Sequence, residues 1–223
     1  MDYSILSKSV LFAGLSASEI RSALESVPHR IECYDKDEII FHLLEDADRL
    51  GVILAGHIEA QKPFPNGSQV NVVMKGPGEI TGPAAVFSSS HVYPCNVAAI
   101  TPATLLVFTK ESILILMQKD VRILNNFMTE IASATFLLQQ RLELFSYSGI
   151  SQKAAFYLLM QKRKTGTDRV SIPESMTNWA MLMNVSRTSL HRELKKLESQ
   201  KIISCQTHFI DVLDEERLQD QLS

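Results

Sequence analysis

Trp179-Ala180-Met181-Leu182-Met183-Asn184-Val185-Ser186-Arg187-Thr188-Ser189-Leu190-His191-Arg192-Glu193-Leu194-Lys195-Lys196-Leu197 is the stretch that decides the fold. It reads as two short helices joined by a tight turn. Ser175 is placed to cap the first helix, whose apolar side is Trp179, Leu182 and Met183. Ala180 is small where two helices must touch closely. Asn184 falls at the turn, where a left-handed backbone is needed and Asn is tolerated better than most residues. Ser186 is placed to cap the second helix. Leu190, Leu194 and Leu197 then point inward at helical spacing. That leaves Arg187, Thr188, His191, Arg192, Lys195 and Lys196 facing out, with Ser189 at the edge of the face. This layout presents a helix start to the DNA major groove. Arg187 and Arg192 suit bidentate contacts to guanine, and Thr188, Ser189 and His191 suit bases or phosphates. Lys195 and Lys196, further along, suit backbone phosphate.

Composition agrees with that reading locally and not globally. Net charge over 223 residues is −3. From Arg187 to Lys201, however, five Lys/Arg face two Glu, which is the local basic patch phosphate contact requires. Hydrophobic content of 45% and charged content of 21% are those of a globular protein. No apolar run is long enough to span a membrane and no signal peptide opens the chain, so a cytoplasmic location is expected. The three cysteines, Cys33, Cys95 and Cys205, are widely spaced and form no CxxC pair, which argues against a zinc or iron–sulfur site. There is no Gly-rich nucleotide loop, Ser/His/Asp constellation or metal-ligand spacing. No catalytic residue, no metal site and no enzymatic activity are expected.

Outward from the motif, Ile202-Ile203-Ser204 and Phe209-Ile210-Asp211-Val212 read as a β-hairpin, the wing of a winged helix. Upstream, Ser151 to about Lys164 gives a helix with Ala154, Ala155, Leu158 and Leu159 as its apolar face, followed by a short strand at 170–172. Further back, Leu124, Ile131, Leu138 and Phe145 recur every seven residues, with Met128, Thr135 and Leu142 four residues after the first three. Such a seam wants a partner helix, and no second helix of matching length exists in the chain. A coiled coil between two subunits is favoured over packing on the helix's own domain. From Arg30 to about Thr109 the texture is β-rich, with runs at 38–41, 49–54, 57–61, 69–74, 96–99 and 104–108 separated by turn signals. Many short strands at such spacing indicate an antiparallel sandwich or barrel. Asn66-Gly67 suits a hairpin turn, and residues 18–26 read as a short helix.

On these residues the chain resembles the cyclic-AMP receptor/fumarate-nitrate regulator (Crp/Fnr) family of bacterial transcription factors. Leu11-Phe12-Ala13-Gly14-Leu15 resembles the family's opening helix–loop. Gly78-Glu79-Ile80-Thr81-Gly82 resembles the start of its phosphate-binding cassette, and Val185–Arg192 its recognition helix. The resemblance implies an α+β chain. It would comprise an N-terminal antiparallel β-roll (a double-stranded β-helix, cyclic-nucleotide-binding-like) over 1–118, a dimerisation helix over 119–147 and a winged helix-turn-helix over 148–223. It further implies a homodimer on a palindromic double-stranded DNA site, with RNA polymerase as a partner if the protein is an activator.

The departures are informative. Cyclic-nucleotide binders continue the cassette with a Glu for the ribose and an Arg-Ser or Arg-Thr pair for the phosphate; those places hold Pro83, Tyr93 and Pro94. The two pocket-facing hydroxyl positions of the long helix hold Leu138 and Gln139. Cyclic AMP is therefore not the expected effector, because a buried phosphate without such partners is costly. Thr188 stands where the family often has a base-reading Glu. No cysteine cluster precedes Cys33, so iron–sulfur oxygen sensing is unsupported. Haem is the alternative cofactor, with His29, His42, His57, His91, Cys33 and Cys95 as its candidate ligands. An unknown small-molecule effector is expected to contact Glu79, Thr81, Gly82, Tyr93, Asn96, Thr135 and Gln139. The competing reading is a cyclic-nucleotide- or haem-binding sensor module with little DNA-binding role.

Overall fold

The short runs of β-branched and aliphatic residues between Arg30 and Thr109 favour extended strands. In the computed structural model, which describes residues 3–63, 69–173 and 175–222, that region forms strands in two antiparallel sheets. The chain divides into two compact units, Met1–Ala134 and Thr135–Ser223.

The first unit runs α1 (Tyr3–Lys8), α2 (Ala17–Glu25), β1 (Arg30–Tyr34), β2 (Ile39–Phe41), β3 (Arg49–Ala55), β4 (Ile58–Pro63), β5 (Gln69–Lys75), β6 (Ile80–Thr81), α3 (Pro83–Phe87), β7 (Asn96–Ala99), β8 (Ala103–Thr109), α4 (Lys110–Lys119) and the first half of α5 (Val121–Ser146). The sheet orders are β1-β8-β3-β6 and β2-β7-β4-β5. Phe41, Leu50, Ile53, Ile80, Leu106 and Phe108 are buried in one apolar core. Strand β1 escapes the sequence reading, because its side chains are exposed or half-buried throughout and show no clean alternation. It is held by its register against β8, from Arg30 opposite Val107 to Tyr34 opposite Ala103. The Asn66-Gly67 turn lies outside the described residues, but β4 and β5 pair antiparallel as a hairpin there requires.

Helix α2 starts where Ser16 and Glu19 form a capping box. The Ser16 hydroxyl and backbone N–H, followed by the Arg122 guanidinium, hold the Glu19 carboxyl down at about 2. Arg122 also pairs with Asp120 at 2.7 Å, so one side chain ties α2 to the start of α5. Gly56 marks a different constraint: its φ is +79° and an added Cβ would lie 2.2 Å from the Pro102 carbonyl oxygen.

The second unit holds the end of α5, then α6 (Ile150–Thr165), β9 (Arg169–Ser171), α7 (Met176–Leu182), α8 (Arg187–Ser199), β10 (Ile203–Cys205), β11 (Phe209–Val212) and α9 (Glu215–Asp220). Its sheet is antiparallel in the order β10-β11-β9. Leu144, Ala154, Ala155, Leu158, Trp179, Leu190, Leu194, Leu197 and Ile210 form its core.

Helix α5 is continuous through the boundary between the units. Ile123 and Phe127 are buried in the first unit and Leu144 in the second. Of the heptad seam, Leu124, Met128, Leu138, Leu142 and Phe145 are 40–62% exposed, and Thr135 is exposed as well. Ile131 departs from the seam: it is half-buried against the core of its own β-roll.

Candidate functional site

The helix-turn-helix is fixed by main-chain and capping contacts at each point the sequence indicated. The Ser175 hydroxyl accepts from the Asn178 N–H at 3.1 Å, starting α7. Asn184 adopts φ +53°. The Val185 N–H then donates to the Ala180 carbonyl at 3.0 Å, closing the turn. From α6, the Lys153 ammonium donates to the Met183 carbonyl at 3.2 Å, satisfying an acceptor at the end of α7. The Ser186 Oγ accepts from the Ser189 N–H at 3.0 Å and starts α8.

Leu190, Leu194 and Leu197 are buried, while Arg187, Thr188, His191, Arg192, Lys195 and Lys196 are exposed on the opposite side. The electrostatics divide this face. Arg187 has no ion-pair partner among the described residues. Arg192, with its side chain 75% exposed, has only a 3.7 Å approach to Glu193. Lys196 lies 3.9 Å from Glu193. Lys195 is paired with Glu198 at 2.7 Å, which raises its own pKa and lowers that of Glu198. Ser186 and Ser189 are engaged with each other through the cap, and Ser189 is half-buried. The sequence reading missed Glu198, whose other oxygen accepts from the Cys205 N–H at 2.9 Å and so ties the end of α8 to the wing strand β10. It also missed Arg169, which packs 4.0 Å over the Phe209 ring and pairs with Asp211 at 2.8 Å on the wing.

The β-roll holds a cavity of about 240 Å³ between its sheet and the first half of α5. Thr81, Gly82 and Tyr93 line it, along with Phe41, Val97 and Ala134. Four other expected residues do not. Glu79 is exposed and accepts from the Gly76 N–H at 2.7 Å, closing the turn before β6. Asn96 accepts from the Leu43 N–H at 2.7 Å, which fixes a loop. Thr135 and Gln139 belong to the second unit and are not among the lining residues. Tyr93 is held rigidly: its ring stacks on Phe41 at 4.4 Å and its hydroxyl donates to the Arg49 carbonyl at 2.6 Å. Burial pushes that hydroxyl up to about 12. The sequence reading missed Lys75 and Glu130, an ion pair at 3.6 Å in the cavity wall.

A cyclic nucleotide does not fit these residues. Among the described residues the lining contains no arginine, and its one cation, Lys75, is bonded to the Ile80 carbonyl at 2.6 Å and faces Glu130. Of the candidate haem ligands, only Cys95 lines the cavity, and burial pushes its thiol up. His29, His42, His57, His91 and Cys33 lie elsewhere, and no cluster suited to a metal ion occurs among the described residues.

A β-roll with a lined cavity, a long helix with an exposed apolar stripe and a winged helix-turn-helix together define a class: DNA-binding transcription regulators. Comparison with known proteins agrees. A cyclic nucleotide-binding domain model matches residues 31–120 and a Crp-like helix-turn-helix domain model matches residues 152–221. A probable transcriptional regulator, flp, of Lacticaseibacillus casei is 23% identical over 212 residues, covering 94% of each chain. The catabolite activator protein of Thermus thermophilus has the same fold, with a TM-score of 0.56 and 21% identity over 96% of this chain and 98% of that one. So does FixK2 of Bradyrhizobium japonicum, with a TM-score of 0.52 and 18% identity over 88% and 98%. The chain belongs to the Crp/Fnr family and is a transcription regulator of the Crp type. No helix among the described residues is long and apolar enough to cross a membrane.

Proposed function

We propose that this regulator works in the cytoplasm as a homodimer on a palindromic double-stranded DNA site. The observation that carries the reading is the exposed start of α8, where Arg187 and Arg192 stand free or nearly free above three buried leucines. Arg187 and Arg192 read base edges; Thr188 and His191 contact bases or phosphates; Lys196 meets phosphate. Lys195, already neutralised by Glu198, contributes less than Lys196. Ser186 and Ser189 act mainly by capping the helix and presenting its N-terminal N–H groups to a phosphate.

The exposed stripe Leu124, Met128, Leu138, Leu142 and Phe145, with Thr135, is the dimer seam. An effector other than cyclic AMP, held in the β-roll cavity by contacts that include Thr81, Gly82 and Tyr93, shifts the balance between two arrangements of the α5 pair. RNA polymerase is a further partner if the protein activates.

The test is selection of bound duplexes from a random DNA pool by the purified protein, with and without small-molecule extract. Enrichment of a palindrome is expected, with affinity that falls steeply with salt. Arg187→Ala should lose about 1–3 kcal/mol of discrimination at one base pair of each half-site. Unchanged specificity in that variant would overturn the assigned register. Absence of any enriched sequence under both conditions would overturn the DNA-binding role.

A further inference from the structure

The cavity wall is apolar apart from a few groups, and its charge is concentrated in one pair, Lys75 at the end of β5 and Glu130 on α5. The two members of that pair are not equivalent. The Lys75 ammonium is pinned at 2.6 Å by the Ile80 carbonyl, on the strand that follows the Gly76–Gly78 turn. Its approach to Glu130, at 3.6 Å, is longer than a hydrogen bond. The ammonium has three donors, so it keeps hydrogen-bonding capacity toward the cavity. The Glu130 side chain, one-fifth exposed on a helix surface, has no hydrogen-bond partner among the described residues.

We propose that the effector is a small amphipathic organic acid, whose apolar body fills the cavity and whose carboxylate bonds Lys75 in place of Glu130. This rests on the reading of the cavity as the effector site. The asymmetry selects the sign of the ligand. An anion arriving at Lys75 finds a fixed cation and a carboxylate free to swing toward solvent. A cation arriving at Glu130 would instead meet the pinned ammonium, which has no alternative position. An uncharged ligand would leave the pair intact. Burying a carboxylate requires a cation with a free donor, and among the described residues Lys75 is the one lining side chain that supplies it. Exchange of Glu130 for the ligand breaks the tie between β5 and α5, so occupancy is felt directly by the long helix. The apolar wall formed by Phe41, Ile58, Val73, Val97 and Ile131 sets the rest of the ligand's chemistry as hydrocarbon.

The experiment is calorimetric titration of the full chain at neutral pH with octanoate, octanamide and octylamine, which share a tail and differ in charge. Octanoate should bind about tenfold or more tightly than the amide, the scale of one charge-assisted hydrogen bond, and the amine should bind weakest. Lys75→Met should remove the preference for the acid while retaining binding of the amide. Glu130→Gln, which keeps the helix surface and removes the competing charge, should tighten octanoate binding and leave the amide unchanged. Glu130→Gln is the decisive variant if Lys75→Met fails to fold. Equal or tighter binding of amide or amine to the wild-type chain would overturn the proposal while leaving the cavity as an effector site. Acid preference unaltered by both substitutions would overturn it too. Binding of none of the three would overturn both the proposal and the cavity reading.

Discussion

Asn184 sits at the joint of the helix-turn-helix with φ +53°, in the left-handed region that an L residue with an ordinary side chain enters only at a cost. The strain cannot relax locally. The Val185 N–H is bonded to Ala180, the Asn184 N–H to Met181, and Lys153 holds the Met183 carbonyl from α6, so the turn is over-determined. Alanine at 184 removes the amide group that makes this conformation tolerable and should cost about 1 kcal/mol, within the penalty for a left-handed residue. Valine, branched at Cβ, should cost about 2 kcal/mol. Glycine adopts the conformation freely but gains entropy in the unfolded chain, so its net effect should stay within about 0.5 kcal/mol. For a unit of this size about 1 kcal/mol moves the melting midpoint by roughly 4–8 °C. The chain contains one tryptophan, Trp179, which is 1% exposed in this same unit, so its fluorescence reports this unit selectively. Urea and thermal denaturation followed by that signal should rank the variants wild type and Gly, then Ala, then Val. An alanine variant melting with the wild type, or a glycine variant as unstable as alanine, would refute the reasoning.

Gly56→Ala should destabilise the β-roll by about 2–5 kcal/mol, since a left-handed backbone is combined with a Cβ placed against the Pro102 carbonyl; far-UV circular dichroism of the melt measures it, and a wild-type midpoint would disprove the crowding. Leu142→Arg should leave the protomer's own melting nearly unchanged, because Leu142 is 62% exposed. It should weaken dimerisation by more than about a hundredfold by burying an unpaired charge in the seam; sedimentation equilibrium showing an undiminished dimer would place the interface elsewhere. Among the thiols, exposed Cys33 should be alkylated first near pH 8. Cys205 is pushed to about 11, by burial and then by Glu198, so it stays protonated and unreactive there, and its rate should climb only as pH rises toward that value. Mass mapping of the labelled peptides reads the order, and early labelling of Cys205 would contradict it.

Much of the DNA-binding unit was legible in the residues because its determinants are local. A cap needs Ser at one position, the turn needs a residue that accepts positive φ, and a helix face needs leucines at three- and four-residue spacing. The structure places Ser175, Asn184, Ser186, Leu190, Leu194 and Leu197 in those roles. The strands of the β-roll were legible where they are short apolar runs bounded by turn signals, as in β3 and β8, whose central residues are buried. Strand β1 was not, because its stability comes from pairing with β8 some seventy residues away.

The lining of the β-roll cavity was less legible, for the same physical reason. Proximity in sequence to the cassette pointed to Glu79 and Asn96, yet both side chains are consumed by backbone N–H groups of nearby loops. Lys75 and Glu130 carry no sequence signal, one following a β run and the other within an amphipathic helix. Only the packing of α5 on the β-roll brings them within 3.6 Å. The chain by itself determined the family, the order of the elements and which face of α8 is presented, since those follow from periodicity, capping and turn chemistry. Tertiary structure alone decided which side chains converge on the cavity, which basic residues remain unpaired and that Ile131 turns inward from the heptad seam. Each of those depends on distances between segments remote in sequence, which no local pattern encodes.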